Sequence, residues 1–332
     1  MPSLVLPVVL LIGSAIVIYL ACEYFVNGVE WVGRKLAVGT QATGTVLAAF
    51  GTALPESVVT LVAVAFGASA ASKELGVGAA LGGPLALSTV AYATVGIVLL
   101  VTRQRFPVTD EVRADFRGLR DDQLWFLILF GLKVALGVVL FSLKAWTGLI
   151  FLAAYGIYVM REMRRESVIE EEALEPLRLR PHAAAPHTAF ALTQTGLALG
   201  VIFLASREFV GQLGVIGPAL GMHPQLVALL LSPIATELPE TMNAIIWVRQ
   251  GKYRLALANI SGAMMIQATI PTAFGLFFTP WLLGHELLIS AGVTAAAILT
   301  MLVAFTRGVI SRRMLAGMGL FYVVFVGLLL TV

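Results

Sequence analysis

The chain has 332 residues, of which 59% are hydrophobic and 12% charged, with a net charge of +3. Soluble domains carry about twice that share of charge, so the composition describes an integral membrane protein and excludes a nucleic-acid-binding role. The single Cys22 excludes an intramolecular disulfide and a cysteine metal cage. All four histidines fall in predicted loops, which argues against a histidine metal site inside the membrane.

Hydropathy predicts ten membrane spans, at 4–24, 41–66, 76–101, 123–141, 145–160, 188–210, 224–248, 255–279, 286–306 and 313–332. No Lys or Arg precedes the first, which reads as a transmembrane helix rather than a cleaved signal peptide. The alternate connections, beginning with the first, carry 18 of the 22 Lys and Arg residues. The positive-inside rule makes that side cytoplasmic and puts both termini outside. Residues 161–187, with five Arg, six Glu and three Pro, read as a solvated cytoplasmic tether. A brief helix is expected at Val168 to Leu174.

Two stretches 184 residues apart are near copies: Gly51-Thr52-Ala53-Leu54-Pro55-Glu56 and Ala235-Thr236-Glu237-Leu238-Pro239-Glu240. The same offset aligns Phe25 and Val26 with Phe209 and Val210, Gln41 with Gln225, and Leu47 with Leu231. Five spans is an odd number, so the second half inserts upside down relative to the first. The expected architecture is therefore an all-α membrane protein of two inverted five-helix repeats. The first covers residues 1–160, the linker 161–187, and the second repeat 188–332. Further on the offset is 180, aligning Gly78-x-x-x-Gly82 with Ala258-x-x-x-Gly262. Small residues at that spacing are expected mainly as a packing surface.

A glutamate at the bilayer centre costs about 3 kcal/mol on insertion scales, and a proline inside a helix removes one ladder bond. Thr52 and Glu56 are four apart and share a helical face. Pro55 has no N–H for the carbonyl of Gly51. A hydroxyl, a carboxylate and a freed carbonyl thus meet at one depth, the oxygen ligands that hard cations take. Thr236, Glu240 and the carbonyl of Ala235 repeat the set. Facing carboxylates cannot easily both ionise alone; a divalent cation neutralises the pair, and so do two protons or monovalent ions. That interchange is the basis of exchange.

These motifs resemble the cation/calcium exchanger superfamily, most closely its sodium/calcium exchanger branch. The family has two inverted five-helix halves, each with a Gly-Thr-Ser-Leu-Pro-Glu-like motif followed by a Gly-Asn-x-x-Gly-Ser-Asn-like motif. The resemblance implies that Thr52, Glu56, Thr236 and Glu240 bind calcium, and that spans 4–24 and 188–210 slide against the core. The chain departs from the pattern at several places. Ala53 and Glu237 replace the Ser after the Thr, and Gly83 and Ala263 replace the Ser of the later motif. Leu87 and Gln267 stand where an Asn or Asp helps hold sodium or a proton, and Asn259 faces Ala79. Glu237 adds a third acid near Glu240, which favours protons as the driving species beside sodium.

The resulting expectation is a secondary-active antiporter that exports calcium or a similar divalent cation by alternating access, in exchange for sodium or protons. Its metal site draws on Gly51, Thr52, Glu56, Ala235, Thr236, Glu237, Glu240 and Gln267, with no resident cofactor. Its partners are inorganic cations and the lipid bilayer, no nucleic acid is involved, and a monomer in a prokaryotic plasma membrane satisfies the pattern. A proton-coupled exchanger of another cation, a cation channel and a non-transporting ion-binding member are the alternatives; no enzyme motif is present. Elsewhere, Glu23 and Glu30 read as solvated or gating residues, and Arg207 and Glu208 as a local ion pair or as snorkelling to the interface. Lys133 reads as snorkelling or paired with an acid, and Asn243 as bonded to a backbone carbonyl. Trp31, Trp125, Trp146 and Trp281 read as interfacial anchors.

Overall fold

The computed structural model describes residues 4–35, 48–103, 110–163, 175–183, 186–249, 251 and 253–331. They form helices α1 (Val5–Lys35), α2 (Ala48–Ala65), α3 (Ala70–Ala86), α4 (Tyr92–Val101), α5 (Asp110–Gly137), α6 (Gly148–Met163) and α7 (Thr188–Ala219). After these come α8 (Pro224–Thr236), α9 (Leu238–Arg249), α10 (Tyr253–Phe278), α11 (His285–Arg307), α12 (Arg312–Gly317) and α13 (Gly319–Leu329). A π-helical turn, Leu87–Ala91, joins α3 to α4. By length and apolarity, six segments among the described residues are fit to cross a membrane: Val5–Phe25, Ala70–Val101, Thr188–Ala219, Ala256–Phe278, His285–Arg307 and Arg312–Leu329.

Several boundaries differ from the hydropathy reading for local reasons. The third span starts at Ala70, where the Ser69 hydroxyl accepts the Ser72 N–H as an N-cap. Helix α5 begins at Asp110 within a charged stretch, because Phe116 and Leu119 continue its buried face and Phe116 packs on Phe305, with ring centroids 5.8 Å apart. The seventh span is broken at Glu237 into α8 and α9.

Helix α1 packs along α7, α2 on α10, α3 on α8, α5 on α11, α4 on α12, and α6 on α10. The α3–α8 contact explains the small-residue motif. A Cβ on Gly78 would overlap the Gln225 carbonyl, and one on Gly82 would come within 2.8 Å of the Leu229 carbonyl. Those carbonyls are one turn apart on α8, so the two backbones touch along the Gly-x-x-x-Gly ridge. The packing role expected of this motif in the first half is the one it has.

The linker is not a plain tether. Its central part, including the expected helix at 168–174, lies outside the described residues. Residues 175–180, however, are bound across α1 and α7. The Asn27 amide donates to the carbonyls of Glu175 (3.4 Å) and Pro176 (3.3 Å), and Trp31 Nε1 donates to Glu175 (2.9 Å). Asn27 Oδ1 accepts from the Arg178 N–H (3.0 Å) and from Gln194 Nε2 (2.9 Å), while Gln194 Oε1 accepts from the Leu179 N–H (2.8 Å). Leu177 is fully buried, and Arg178 pairs with Glu23 at 3.0 Å. Asn27 and Gln194 supply donors and acceptors that an irregular backbone against apolar helices would otherwise lack.

Three further expectations are corrected. Trp31 and Trp281 are buried rather than interfacial, because each indole N–H has a backbone acceptor in the interior, the carbonyls of Glu175 and Lys133. Of the two readings of Arg207 and Glu208 the local pair is not the one seen: Glu208 accepts from Gln212 (2.7 Å) one turn away, and Arg207 is exposed. Lys133 does not snorkel; it is fully buried. Trp146 is exposed, as an anchor would be. The side chains of Glu30 and Asn243 fall outside the description.

A Gly78→Val substitution should force α3 and α8 apart and lower stability by about 3 kcal/mol. Gly214→Ala, where only Leu75 comes within 3.9 Å, should be neutral. Thermal unfolding in detergent, followed by intrinsic fluorescence, checks both.

Candidate cation site

The sequence repeats its motif faithfully, but the two copies fold differently. Helix α2 runs unbroken through Pro55. In the second copy Pro233 and Pro239, six residues apart, remove two ladder donors within two turns, and the helix ends at Thr236 with Glu237 as C-cap. The position of Pro233 corresponds to Ala49 in the first copy, which keeps its N–H. Glu237 therefore stands at a helix break: its N–H bonds the Pro233 carbonyl (3.0 Å) and its carbonyl accepts from Thr241 (3.1 Å).

This break brings two acids to one hydroxyl. Thr236 Oγ1 lies 2.8 Å from Glu56 Oε2, 3.0 Å from Glu237 Oε1 and 3.2 Å from the Ser232 carbonyl. A hydroxyl carries one proton, so it donates to one of these oxygens at a time. Two carboxylates from opposite halves of the chain thus share one donor at zero to 4% exposure. On the far side, Gln267 Nε2 of α10 donates to Glu237 Oε2 at 2.7 Å. Glu56 Oε1, Gln267 Oε1, Thr60 Oγ1 and Ser232 Oγ are buried without a hydrogen-bond partner among the described residues. Buried oxygens without donors cost about 1–3 kcal/mol each and are the ligands that a hard cation or a proton satisfies.

Of the expected site residues, the structure brings together Glu56, Thr236, Glu237 and Gln267. Glu240 is fully buried in the first turn of α9, but the bridge to Glu56 runs through Glu237. The extra acid thus stands at the shared hydroxyl beside Glu56. Gly51 and Thr52 lie in α2 and Ala235 in α8, with side chains outside the description. Among the described residues no three Asp, Glu, His or Cys side chains form a metal-holding group on their own; hydroxyl and amide oxygens have to complete any shell.

The departures at Gly83 and Gln267 form one change rather than two. A Cβ on Gly83 would lie 2.8 Å from Gln267 Oε1, 2.9 Å from Cδ and 3.0 Å from Nε2. The long amide reaches Glu237 only because α3 has no side chain there. The sequence gives both residues, but their contact depends on α3 and α10 packing side by side. Sequence reading also missed the weight of Lys133, whose one signal was a charge inside an apolar span.

The model of the family described as sodium/calcium exchanger protein matches residues 6–163 and 190–331, nearly the whole chain. The chain belongs to this family. Inner membrane protein YrbG of Escherichia coli (strain K12) is 26% identical over 278 residues, covering 82% of this chain and 79% of that protein. Among solved structures, an H+/Ca2+ exchanger named CAX shares the fold at a TM-score of 0.76 and 17% identity, covering 96% of this chain and 81% of that one. The sodium-calcium exchanger NCX_Mj does so at 0.62 and 19%, covering 98% and 99%. This exchanger family member is accordingly a multi-pass membrane transporter of inorganic cations and not an enzyme.

Gly83→Ala in this exchanger homologue should push Gln267 off Glu237 and cost about 1–3 kcal/mol. Adding Gln267→Ala should relieve the clash, so the double variant is less destabilised than the sum of the singles. A double-mutant cycle of thermal unfolding measures that coupling.

Proposed function

We propose that the protein is a secondary-active antiporter that carries calcium or a similar divalent cation across a prokaryotic plasma membrane by alternating access, in exchange for sodium or protons. The observation that carries this reading is the Glu56–Thr236–Glu237 cluster, where two buried carboxylates share one hydroxyl proton. Such a cluster is tolerable when a cation or protons occupy it and costly when bare. Glu56, Thr236, Glu237, Gln267 and Glu240 supply ligands, with Thr52 and the carbonyls of Gly51 and Ala235 completing the set. One chain supplies both motifs, so the carrier works as a monomer.

In this reading ten spans form two inverted repeats, residues 1–160 and 188–332, with both termini outside and the 161–187 linker in the cytoplasm. The helix pairing supports it. Exchanging the halves turns the α2–α10 contact into α8–α3 and the α4–α12 contact into α10–α6, while α1–α7 and α5–α11 map onto themselves. Helices α1 and α7 slide against the core as one body, held together by the strap of residues 175–180.

The fold neighbours are named for both proton and sodium exchange, so the counter-ion is the property to measure. Purified protein in liposomes should accumulate radioactive calcium under an outward sodium or proton gradient, and Glu56→Gln should abolish it. No uptake under either gradient would count against calcium antiport. If protons drive uptake, Glu237→Gln should flatten its pH dependence; an unchanged profile would assign coupling to another group.

A further inference from the structure

Lys133 of α5 is fully buried, and among the described residues its Nζ donates to the carbonyl of Ala80, at 2.9 Å. The ammonium also lies 5.2 Å from the centroid of the Phe130 ring. The acceptor is available because residue 84 is a proline: Pro84 offers no N–H to the carbonyl four residues back. A structural cap would be a complete explanation if a neutral donor were present. A full positive charge buried in an apolar core needs more than one carbonyl to offset its desolvation.

The position of Ala80 supplies the rest. Helices α2 and α3 form an antiparallel hairpin, and Gly76 abuts the Thr60 carbonyl, the Ala63 side chain and that of Val64. One turn further along α3 is Ala80, and one turn back along α2 is Glu56. The ammonium held at Ala80 therefore sits at the level of Glu56 in the hairpin, on the side of the core where the carboxylate is buried. Thr236 links Glu56 to Glu237, so a positive charge beside Glu56 bears on how the two acids compete for the Thr236 proton.

We infer that the Lys133 ammonium is a resident cation that competes with the transported cation for the Glu56–Glu237 cluster and thereby lowers the affinity of the site. The inference rests on the exchanger reading above. A resident charge keeps the bare cluster from carrying its full negative charge, which stabilises the empty carrier. It also repels an incoming divalent ion, so release is eased as well. Lys133 acts through the carboxylates as a positioning residue and is not itself a ligand.

The test is a calcium titration of purified wild type, Lys133→Gln and Lys133→Arg, read by thermal stabilisation in detergent and by initial uptake rate in liposomes. Removing the charge should lower the half-saturating calcium concentration at least about tenfold, while Lys133→Arg keeps the wild-type value. A purely structural cap predicts the reverse: a less stable Lys133→Gln protein with unchanged or weaker calcium affinity, and that result overturns the inference alone. Lys133→Met replaces the Gln variant if the latter does not fold. Collapse of both neutral variants with Lys133→Arg intact also overturns it in favour of the cap. A wild type with no saturable calcium response would remove the calcium-antiport reading and this inference together.

Discussion

At the centre of the bundle the Thr236 hydroxyl, with one proton to give, faces Glu56 on one side and Glu237 on the other. Everything around this shortage of donors follows from burial. Water would supply hydrogens to both acids without difficulty, whereas residues at zero to 4% exposure depend on what the protein or an ion provides. Gln267 supplies one donor to Glu237, Lys133 supplies a nearby positive charge, and several oxygens are left for a cargo. An oxygen-rich, proton-poor pocket in an apolar surround binds positive charge for electrostatic reasons alone.

Prolines build this pocket by subtraction. Pro55 and Pro239 each deny a donor to the residue four before them, Pro233 adds a second gap to the second copy, and Pro84 exposes the Ala80 carbonyl that Lys133 occupies. In a soluble protein such gaps fill with water. Inside an apolar bundle they become fixed acceptors, and the side chains opposite them are constrained to be donors or cations. Glycines perform the complementary task. Gly78 and Gly82 admit the α8 backbone, and Gly83 admits the Gln267 amide, so α3 serves as the surface against which the second half is registered.

The two copies of the motif differ in local structure within a similar frame of helix pairs. The helix pairing retains a two-fold pattern, yet only the second copy breaks. At the break Glu237 lies within reach of the Thr236 hydroxyl. A single additional proline at 233 and a single acid at 237 thus accompany the helix break that puts Glu237 at the Thr236 hydroxyl. The strap from 175 to 180 adds a constraint across the halves, since Asn27 of α1 and Gln194 of α7 bond each other and the same short segment.

Much of this was legible in the sequence. Hydropathy pointed to an all-helical chain with several apolar spans, the 184-residue echo singled out both motifs, and the residue chemistry of Thr, Pro and Glu pointed to cations, because these signals are local or depend only on periodicity. Contacts between distant segments were not legible. Nothing in spacing alone says that Trp281 is buried against α5, that the linker is docked, or that Gln267 lies over Gly83. By itself the sequence determined an apolar helical chain with paired acidic motifs, since burial in lipid restricts backbone and charge at every position. The tertiary structure alone decided which oxygens share the Thr236 proton and which carbonyl holds Lys133, because those depend on how helices from opposite halves touch.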